Sequence, residues 1–216
     1  MTQIKKIQWI PVALLLVSCG SGLPTRLLTV AGLGTTTPDD SGDGGGGGEP
    51  RSFKYLKVTT QTFNGNLGEI AGADAKCAAE FPGYKALVAS FGAGRFPGGA
   101  DWPLAAATEY RRADGTTVIG TTLGDGMFDF GLGLLNAVTS EAVAAWTGLQ
   151  LDEGSWSNHA TCDLYDHVGG ISHDWTAETD FYPGEQGSAN STGSGMLDTG
   201  TDATCDSTAH LYCVEQ

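Results

Sequence analysis

The sequence predicts an α+β domain with a mostly antiparallel sheet over residues 53–216. One segment has the apolar spacing of a helix, because Ile70, Ala73 and Cys77 recur at i, i+3 and i+7. Another carries an Asp-Gly pair at 114–115 between β-type residues, which is a strong hairpin signal. Further short runs of apolar or β-branched residues are separated by turn residues, which indicates several strands.

The predicted elements follow one another along the chain. Residues 54–61 alternate polar with apolar or β-branched side chains, which indicates a strand, and Asn-Gly-Asn at 64–66 supplies a turn. The predicted helix spans 70–81 and ends because Pro-Gly at 82–83 cannot continue it. The remaining predicted strands are 84–89, the hairpin arms 109–112 and 116–119, and two buried strands at 143–149 and 210–214.

The N-terminus has the features of a secretion signal followed by a lipid-attachment site. Two lysines precede an apolar run at 7–17, which is shorter than the about 20 residues that a membrane-spanning helix needs. The run ends in Leu-Val-Ser-Cys at 16–19, which resembles the lipobox of bacterial lipoproteins. We therefore expect a signal peptide at 1–18 and acylation of Cys19, which would anchor the protein to a membrane. An ordinary cleaved signal with an incidental cysteine is the alternative.

Residues 19–52 are predicted to form the lipidated N-terminus and a flexible tether. Few large apolar side chains follow Leu33, and residues 44–48 are all glycine. Such a segment cannot bury enough surface to offset the entropy of ordering it. A Gly-rich coil of this length reaches on the order of 30 Å, which separates the globular domain at 53–216 from the lipid headgroups.

The charge distribution excludes some classes of partner. The chain has a formal net charge of -14, and no Lys or Arg follows Arg112. A region without cations cannot bind nucleic acid, heparin or anionic lipid through a basic patch. It could attract cations or basic proteins, and the simpler alternative is an acidic surface that keeps the domain soluble.

Four cysteines in the globular region are expected to form two disulfides, because the chain is exported. They are Cys77, Cys162, Cys205 and Cys213. Cys205 and Cys213 are too close in sequence to pair if the chain between them is extended, because their Cα atoms would lie roughly 20 Å apart and a disulfide needs about 5.5 Å. The nested and the crossed connectivity both stay open on this argument. Free thiols or metal ligation are the alternatives, although no C-x-x-C pair is present.

Several segments together resemble the leptospiral endostatin-like lipoproteins. The resemblance extends over roughly residues 55–216 and rests on the segments Gly-Ala-Asp-Ala-Lys-Cys at 72–77, Tyr-Lys-Ala-Leu at 84–87, Arg-Arg-Ala-Asp-Gly at 111–115, Ala-Trp-Thr-Gly-Leu at 145–149 and His-Leu-Tyr-Cys-Val-Glu-Gln at 210–216. That family is similar in turn to the endostatin module of collagens, a relative of the C-type lectin fold. The resemblance implies a twisted sheet with one main helix, long loops, and nested bridges Cys77–Cys213 and Cys162–Cys205.

The same resemblance implies a function. Family members are outer-membrane lipoproteins on the cell surface that bind host extracellular-matrix proteins such as laminin and fibronectin, and some bind complement regulators or plasminogen. Heparin binding is not expected, because only Arg111 and Arg112 match the arginines that endostatin uses. Calcium-dependent sugar binding of the usual lectin kind is not expected either, because the Glu-Pro-Asn and Trp-Asn-Asp motifs are absent.

The candidate binding surface lies mainly in the long segment between Cys162 and Cys205, which has few aliphatic residues. Its aromatic candidates are Trp156, Trp175, Phe181 and Tyr182, since aromatic side chains dominate interface hot spots, and the alternative is that they pack under the loops. Trp146, by contrast, is expected to be buried. The acidic candidates are Asp163, Asp166 and Asp174, which are also weak calcium candidates, although solvated acids are the simpler reading. His159, His167 and His173 would form a zinc site only if the fold brought them together.

No catalytic residue is predicted. Leu-Asp-Thr-Gly-Thr at 197–201 contains the Asp-Thr-Gly triplet that is typical of aspartic proteases. Their chemistry needs two such triplets, whose carboxylates share a proton, and a second one is absent from the sequence. The nucleophile-elbow, H-E-x-x-H and P-loop motifs are absent. The sequence therefore favours a noncatalytic, cofactor-free binding lipoprotein, with a structural or assembly lipoprotein facing the periplasm as the alternative.

Overall fold

The computed structural model of the chain describes residues 52–163 and 173–216. The predicted signal peptide, Cys19 and the predicted tether except its last residue lie outside the described residues, as do Asp166 and His167. The described part contains one α-helix, α1 (Glu69–Glu80), and a short 3-10 turn at Ser194–Met196. Its strands are β1 (Phe53–Val58), β2 (Tyr84–Ala86), β3 (Glu109–Arg111), β4 (Val118–Thr121), β5 (Ala144–Trp146), β6 (Leu149–Asp152), β7 (Ser155–Asn158), β8 (Pro183–Ser188), β9 (Asp202–Thr204) and β10 (His210–Glu215).

Eight of these strands form one mixed, mostly antiparallel sheet. Its order is β4-β3-β1-β10-β5-β8-β9, and β2 also pairs with β10. Only the β1–β3 and β10–β5 pairs are parallel, while β6 and β7 form a separate antiparallel hairpin. The predicted α+β class with one main helix and a mostly antiparallel sheet is confirmed.

Strand β10 is central because its side chains are buried on both faces of the sheet. Leu211 and Cys213 point into a core that includes α1, while Tyr212 and Val214 point into a second core on the opposite face. Because alternate residues of the strand face two different cores, the run from 211 to 214 is continuously apolar rather than alternating.

Helix α1 begins and ends close to the predicted positions. Ile70, Ala73 and Cys77 are its buried residues, as the i, i+3, i+7 spacing predicts. No side chain caps its N-terminus; instead the carbonyl oxygen of Trp175 accepts hydrogen bonds from the amides of Gly68 and Glu69 at 3.1 and 3.3 Å. The loop around residue 175 is thereby tied to the start of the helix.

Both disulfides have the nested connectivity that the resemblance implies. Cys77 pairs with Cys213 across Cα atoms 5.5 Å apart, and Cys162 pairs with Cys205 across 5.6 Å. The first bridge joins α1 to β10, and the second joins the segment after β7 to the residue that follows β9. Trp146 is fully buried, as predicted, and its indole N–H donates to the carbonyl oxygen of Phe63 at 2.7 Å.

Two parts of the strand prediction need correction. The run 143–149 is not one strand, because Gly148 has φ of 64° and separates β5 from β6. The segment 183–188 is a strand, although its glycine content argues against one. Its glycines are needed because a Cβ on Gly187 would lie 1.7 Å from the carbonyl oxygen of Met196. Close backbone approach rather than strand propensity therefore explains β8.

No helix within residues 52–163 and 173–216 combines the length and the apolar character required to cross a bilayer.

Candidate functional site

A cleft of about 890 Å³ lies beside the N-terminal half of α1. Its walls are the first turns of the helix, the loop after β2 and the loop that caps the helix. The residues that line it are Glu69, Ile70, Ala71, Asp74, Lys85, Ser90, Phe91, Gly92, Ala93, Arg95, Asp101, His173 and Asp174. Three segments that are distant in sequence therefore form one concave surface.

A buried arginine forms the floor of this cleft. Arg95 is only 1% exposed, and its guanidinium donates to both oxygens of Asp74 at 2.8 Å. It also donates to Oδ2 of Asp101, at 2.9 Å from Nε and 2.6 Å from Nη2, and to the carbonyl oxygen of Ala86 at 3.1 Å. Lys85 completes the network with a 2.6 Å contact to Oδ1 of Asp101. The cations of the cleft are thus held by its own carboxylates.

The pKa shifts follow from this pairing. Burial alone would lower the pKa of Arg95, but hydrogen bonds and charge attraction from Asp74 and Asp101 outweigh it, so the pKa is raised. Burial would raise the pKa of Asp101, but the hydrogen bonds from Lys85 and Arg95 outweigh it, so this pKa is lowered. Both groups therefore keep their charges at neutral pH.

Asp174 fixes the loop on the other side of the cleft. Its Oδ2 accepts from the hydroxyl of Ser90 at 2.6 Å and from the amide of Gly92 at 2.8 Å, and its Oδ1 accepts from Thr161 at 2.7 Å. Ser90 and Arg95 also exchange two backbone hydrogen bonds, at 2.9 and 3.0 Å. The loop 90–95 is consequently a tight, cross-braced hairpin.

This hairpin presents an aromatic side chain to solvent. Phe91 is 58% exposed at the rim of the cleft, and Phe96, which follows the hairpin, is 47% exposed. Large exposed aromatic side chains on a fixed backbone are suited to contact with another protein, because little entropy is lost on binding. Sequence reasoning did not find Phe91 or Arg95; the available signal was an isolated arginine in the Gly- and Phe-rich stretch 91–99.

The aromatic residues predicted from the sequence have different environments. Trp175 is fully buried, so its expected place on an exposed surface is wrong; its indole N–H donates to the carbonyl oxygen of Ala89 at 2.7 Å. Trp156 is partly buried against Phe130, and Tyr182 is partly buried against the core around α1. Phe181 is 82% exposed and stacks edge-on against Tyr182.

The acidic candidates are occupied by protein donors. Asp174 is buried and accepts the three hydrogen bonds described above. Asp163 accepts from the amide of His173 at 2.7 Å through Oδ1. The described members of the calcium hypothesis therefore hold the loops together, and Asp166 lies outside the described residues.

The two described histidines of the zinc hypothesis have different neighbours. Nδ1 of His173 lies 3.9 Å from a carboxylate oxygen of Glu69, at the edge of the cleft. His159 instead lies with Glu185 and Asp202, and the potential ligand atoms of these three residues are within 4.8 Å of one another. Their positions, 159, 185 and 202, form no motif, so only the fold brings them together.

Comparison with known proteins places the chain in a family. Residues 60–192, more than half of the chain, match the family model described as "Protein of unknown function (DUF1554)". The chain belongs to the DUF1554 family. No curated protein matches it. The part matched by DUF1554 includes α1, the hairpin 90–95 and all the residues that line the cleft, whereas β9 and β10 follow it.

Proposed function

We propose that this DUF1554 protein is a noncatalytic, lipid-anchored outer-membrane protein that binds host extracellular-matrix proteins, laminin and fibronectin, at the cell surface. Complement regulators and plasminogen are further candidate partners. The resemblance to the leptospiral endostatin-like lipoproteins, with its C-type-lectin-like fold, supplies the partner class, and the lipobox-like segment at 16–19 supplies the location.

The observation that carries the proposal is the cross-braced hairpin 90–95, which carries the exposed Phe91. Its backbone is fixed before a partner arrives, so the aromatic side chain can be buried at low entropic cost. Phe96 and Phe181, the latter on the loop before β8, are further exposed aromatic side chains of the described surface.

Charge favours a basic partner at the cleft. Four carboxylates line it, those of Glu69, Asp74, Asp101 and Asp174, against the two cations Lys85 and Arg95. Both cations are paired internally, and the cleft has two more carboxylates than cations, so it carries an excess of negative charge. Affinity for a basic matrix protein should therefore weaken as salt is added.

The cleft's polar groups favour binding over catalysis. The hydroxyl of Ser90 donates to Asp174 rather than to an imidazole base, so it is not arranged as a nucleophile. Arg95 is enclosed by carboxylates and offers no oxyanion site.

The test measures binding of the full chain to immobilised laminin and fibronectin by surface plasmon resonance at two salt concentrations. Phe91→Ser should weaken binding by about tenfold or more, because it removes an aromatic anchor. Leu132→Ser is the matched control, since Leu132 is 88% exposed and does not line the cleft. Absence of binding to both proteins would overturn the partner class, and equal effects of the two substitutions would overturn the assignment to the cleft.

Protease treatment of intact cells tests the location. Cleavage within residues 19–52 is expected if the domain faces the exterior. Protection of that segment would instead support a structural lipoprotein that faces the periplasm.

A further inference from the structure

Glu185, on β8, faces Asp202 across the β8–β9 pair, and both face a histidine from another part of the chain. The two acidic residues are register partners in that antiparallel pair. His159 follows β7, and its amide donates to the carbonyl oxygen of Gly148 at 2.9 Å, which holds it in place. Its Nδ1 lies 3.2 Å from Oε1 of Glu185 and 3.8 Å from Oδ1 of Asp202.

These separations suit a small, tetrahedrally coordinated ion. Zinc binds nitrogen and carboxylate oxygen at about 2.0–2.2 Å, so neighbouring ligands of one tetrahedral ion lie roughly 3.3–3.6 Å apart. The two distances from Nδ1 of His159 lie on either side of this value, and the ligand atoms of all three residues lie within 4.8 Å of one another.

A second observation points to a ligand independently of that spacing. Glu185 is only 1% exposed, and its Oε2 is a buried oxygen without a hydrogen-bond partner among the described residues. Oδ1 of Asn158, the residue before His159, is also buried without a hydrogen-bond partner among the described residues. Buried polar atoms are almost always satisfied, because an unpaired one costs about 1–3 kcal/mol. A cation can bind a carboxylate oxygen at such a position.

The electrostatics of the cluster agree with this reading. Burial, a hydrogen bond with Asp202 and the charges of Asp202 and Asp198 together raise the pKa of Glu185 to about 8. No Lys or Arg follows Arg112 in the chain, so these neighbours bring no positive side chain of their own to the cluster. A divalent ion would supply the missing positive charge.

We propose that His159, Glu185 and Asp202 form a binding site for a divalent transition-metal ion of the zinc class. One imidazole nitrogen with two carboxylate oxygens is a donor set that zinc accepts, whereas calcium prefers six to eight oxygen ligands. The exposed fractions of the His159 and Asp202 side chains, 42% and 36%, leave room for water at the remaining coordination position. The ion would tie the segment after β7 to the β8–β9 pair, close in sequence to the Cys162–Cys205 bridge.

The experiment titrates the tag-free full chain with zinc chloride after treatment with EDTA and dialysis into metal-free buffer without reductant. Isothermal titration calorimetry should give one ion per chain, and His159→Ala and Asp202→Asn should each weaken binding by more than about tenfold, since even outer-shell partners of a metal are worth about 10- to 100-fold. Zinc should also raise the melting temperature of the wild type and leave that of the two variants unchanged.

His173→Ala is the matched control, because its side chain is 43% exposed, against 42% for His159, and also lies beside a carboxylate. This control should bind zinc as the wild type does. The proposal is overturned if the wild type shows no saturable binding, if His173→Ala loses as much affinity as His159→Ala, or if calcium displaces zinc at equal concentration. Both ligand variants change partly exposed side chains, so circular dichroism should show that they remain folded. Matrix binding is measured separately, so failure of either proposal leaves the other intact.

Discussion

Replacing Arg95 by methionine should destabilise the protein strongly, because the substitution removes the cation between two carboxylates. Arg95 is 1% exposed, and its side chain makes five hydrogen bonds, four of them to Asp74 and Asp101. Removing one partner of a buried ion pair costs about 3–5 kcal/mol. The lower end applies here, because the side chain of Asp101 is 43% exposed and keeps its contact with Lys85. We expect Arg95→Met to lose about 3 kcal/mol of unfolding free energy.

Urea unfolding of the full chain at pH 7, followed by far-ultraviolet circular dichroism, measures this loss. Arg111→Met is the matched control, because Arg111 pairs with Glu109 at 27% and 33% side-chain exposure and should lose less than about 1 kcal/mol. Adding Asp74→Asn to Arg95→Met should restore about 1 kcal/mol or more, since the uncompensated charge is then gone. The reasoning is refuted if Arg95→Met costs no more than Arg111→Met, or if the double variant is less stable than the single one.

Two further predictions concern the cores. Replacing both Cys77 and Cys213 by alanine should lower the unfolding free energy by about 5 kcal/mol, because the bridge joins residues 136 positions apart and constrains the unfolded chain. Thermal melting without reductant measures this loss, and a loss below about 2 kcal/mol would contradict the prediction. Burial raises the pKa of Tyr110 to about 12, so the neutral phenol stabilises the fold below the unfolded pKa near 10, and this contribution is lost as pH rises from about 10 towards 12. Between pH 10 and 11 the wild type should lose about 1 kcal/mol more unfolding free energy than Tyr110→Phe, because burial also raises the pKa of Tyr212 and both proteins share that loss. Chemical unfolding at each pH measures the difference, and parallel slopes for the two proteins would count against the prediction.

Local elements were predictable where one short segment carries the information. The start and end of α1 follow from apolar spacing and from the Pro-Gly pair at 82–83, and the β3–β4 hairpin follows from Asp-Gly at 114–115. The segment 183–188 was missed because its glycines reflect contact with residues 196–197, which are adjacent in space and not in the local pattern.

The candidate sites were predictable only in part. Phe181 is exposed, as the sequence predicted, but Trp175 is buried because its indole packs in the core beside Trp146. Neither Phe91 nor Arg95 belongs to a sequence motif, and their positions depend on contacts with Asp74 and Asp174 from other segments.

The amino-acid sequence alone determined the class of the fold, the position of the helix and the number of cysteines available for two bridges, because periodicity, turn chemistry and composition are local properties. Only the tertiary structure decided which carboxylates surround Arg95 and which histidine meets Glu185 and Asp202. Asp74 lies 21 positions from Arg95, and Glu185 and Asp202 lie 26 and 43 positions from His159, so no local pattern in the sequence records these contacts, and the folded chain alone brings the segments together.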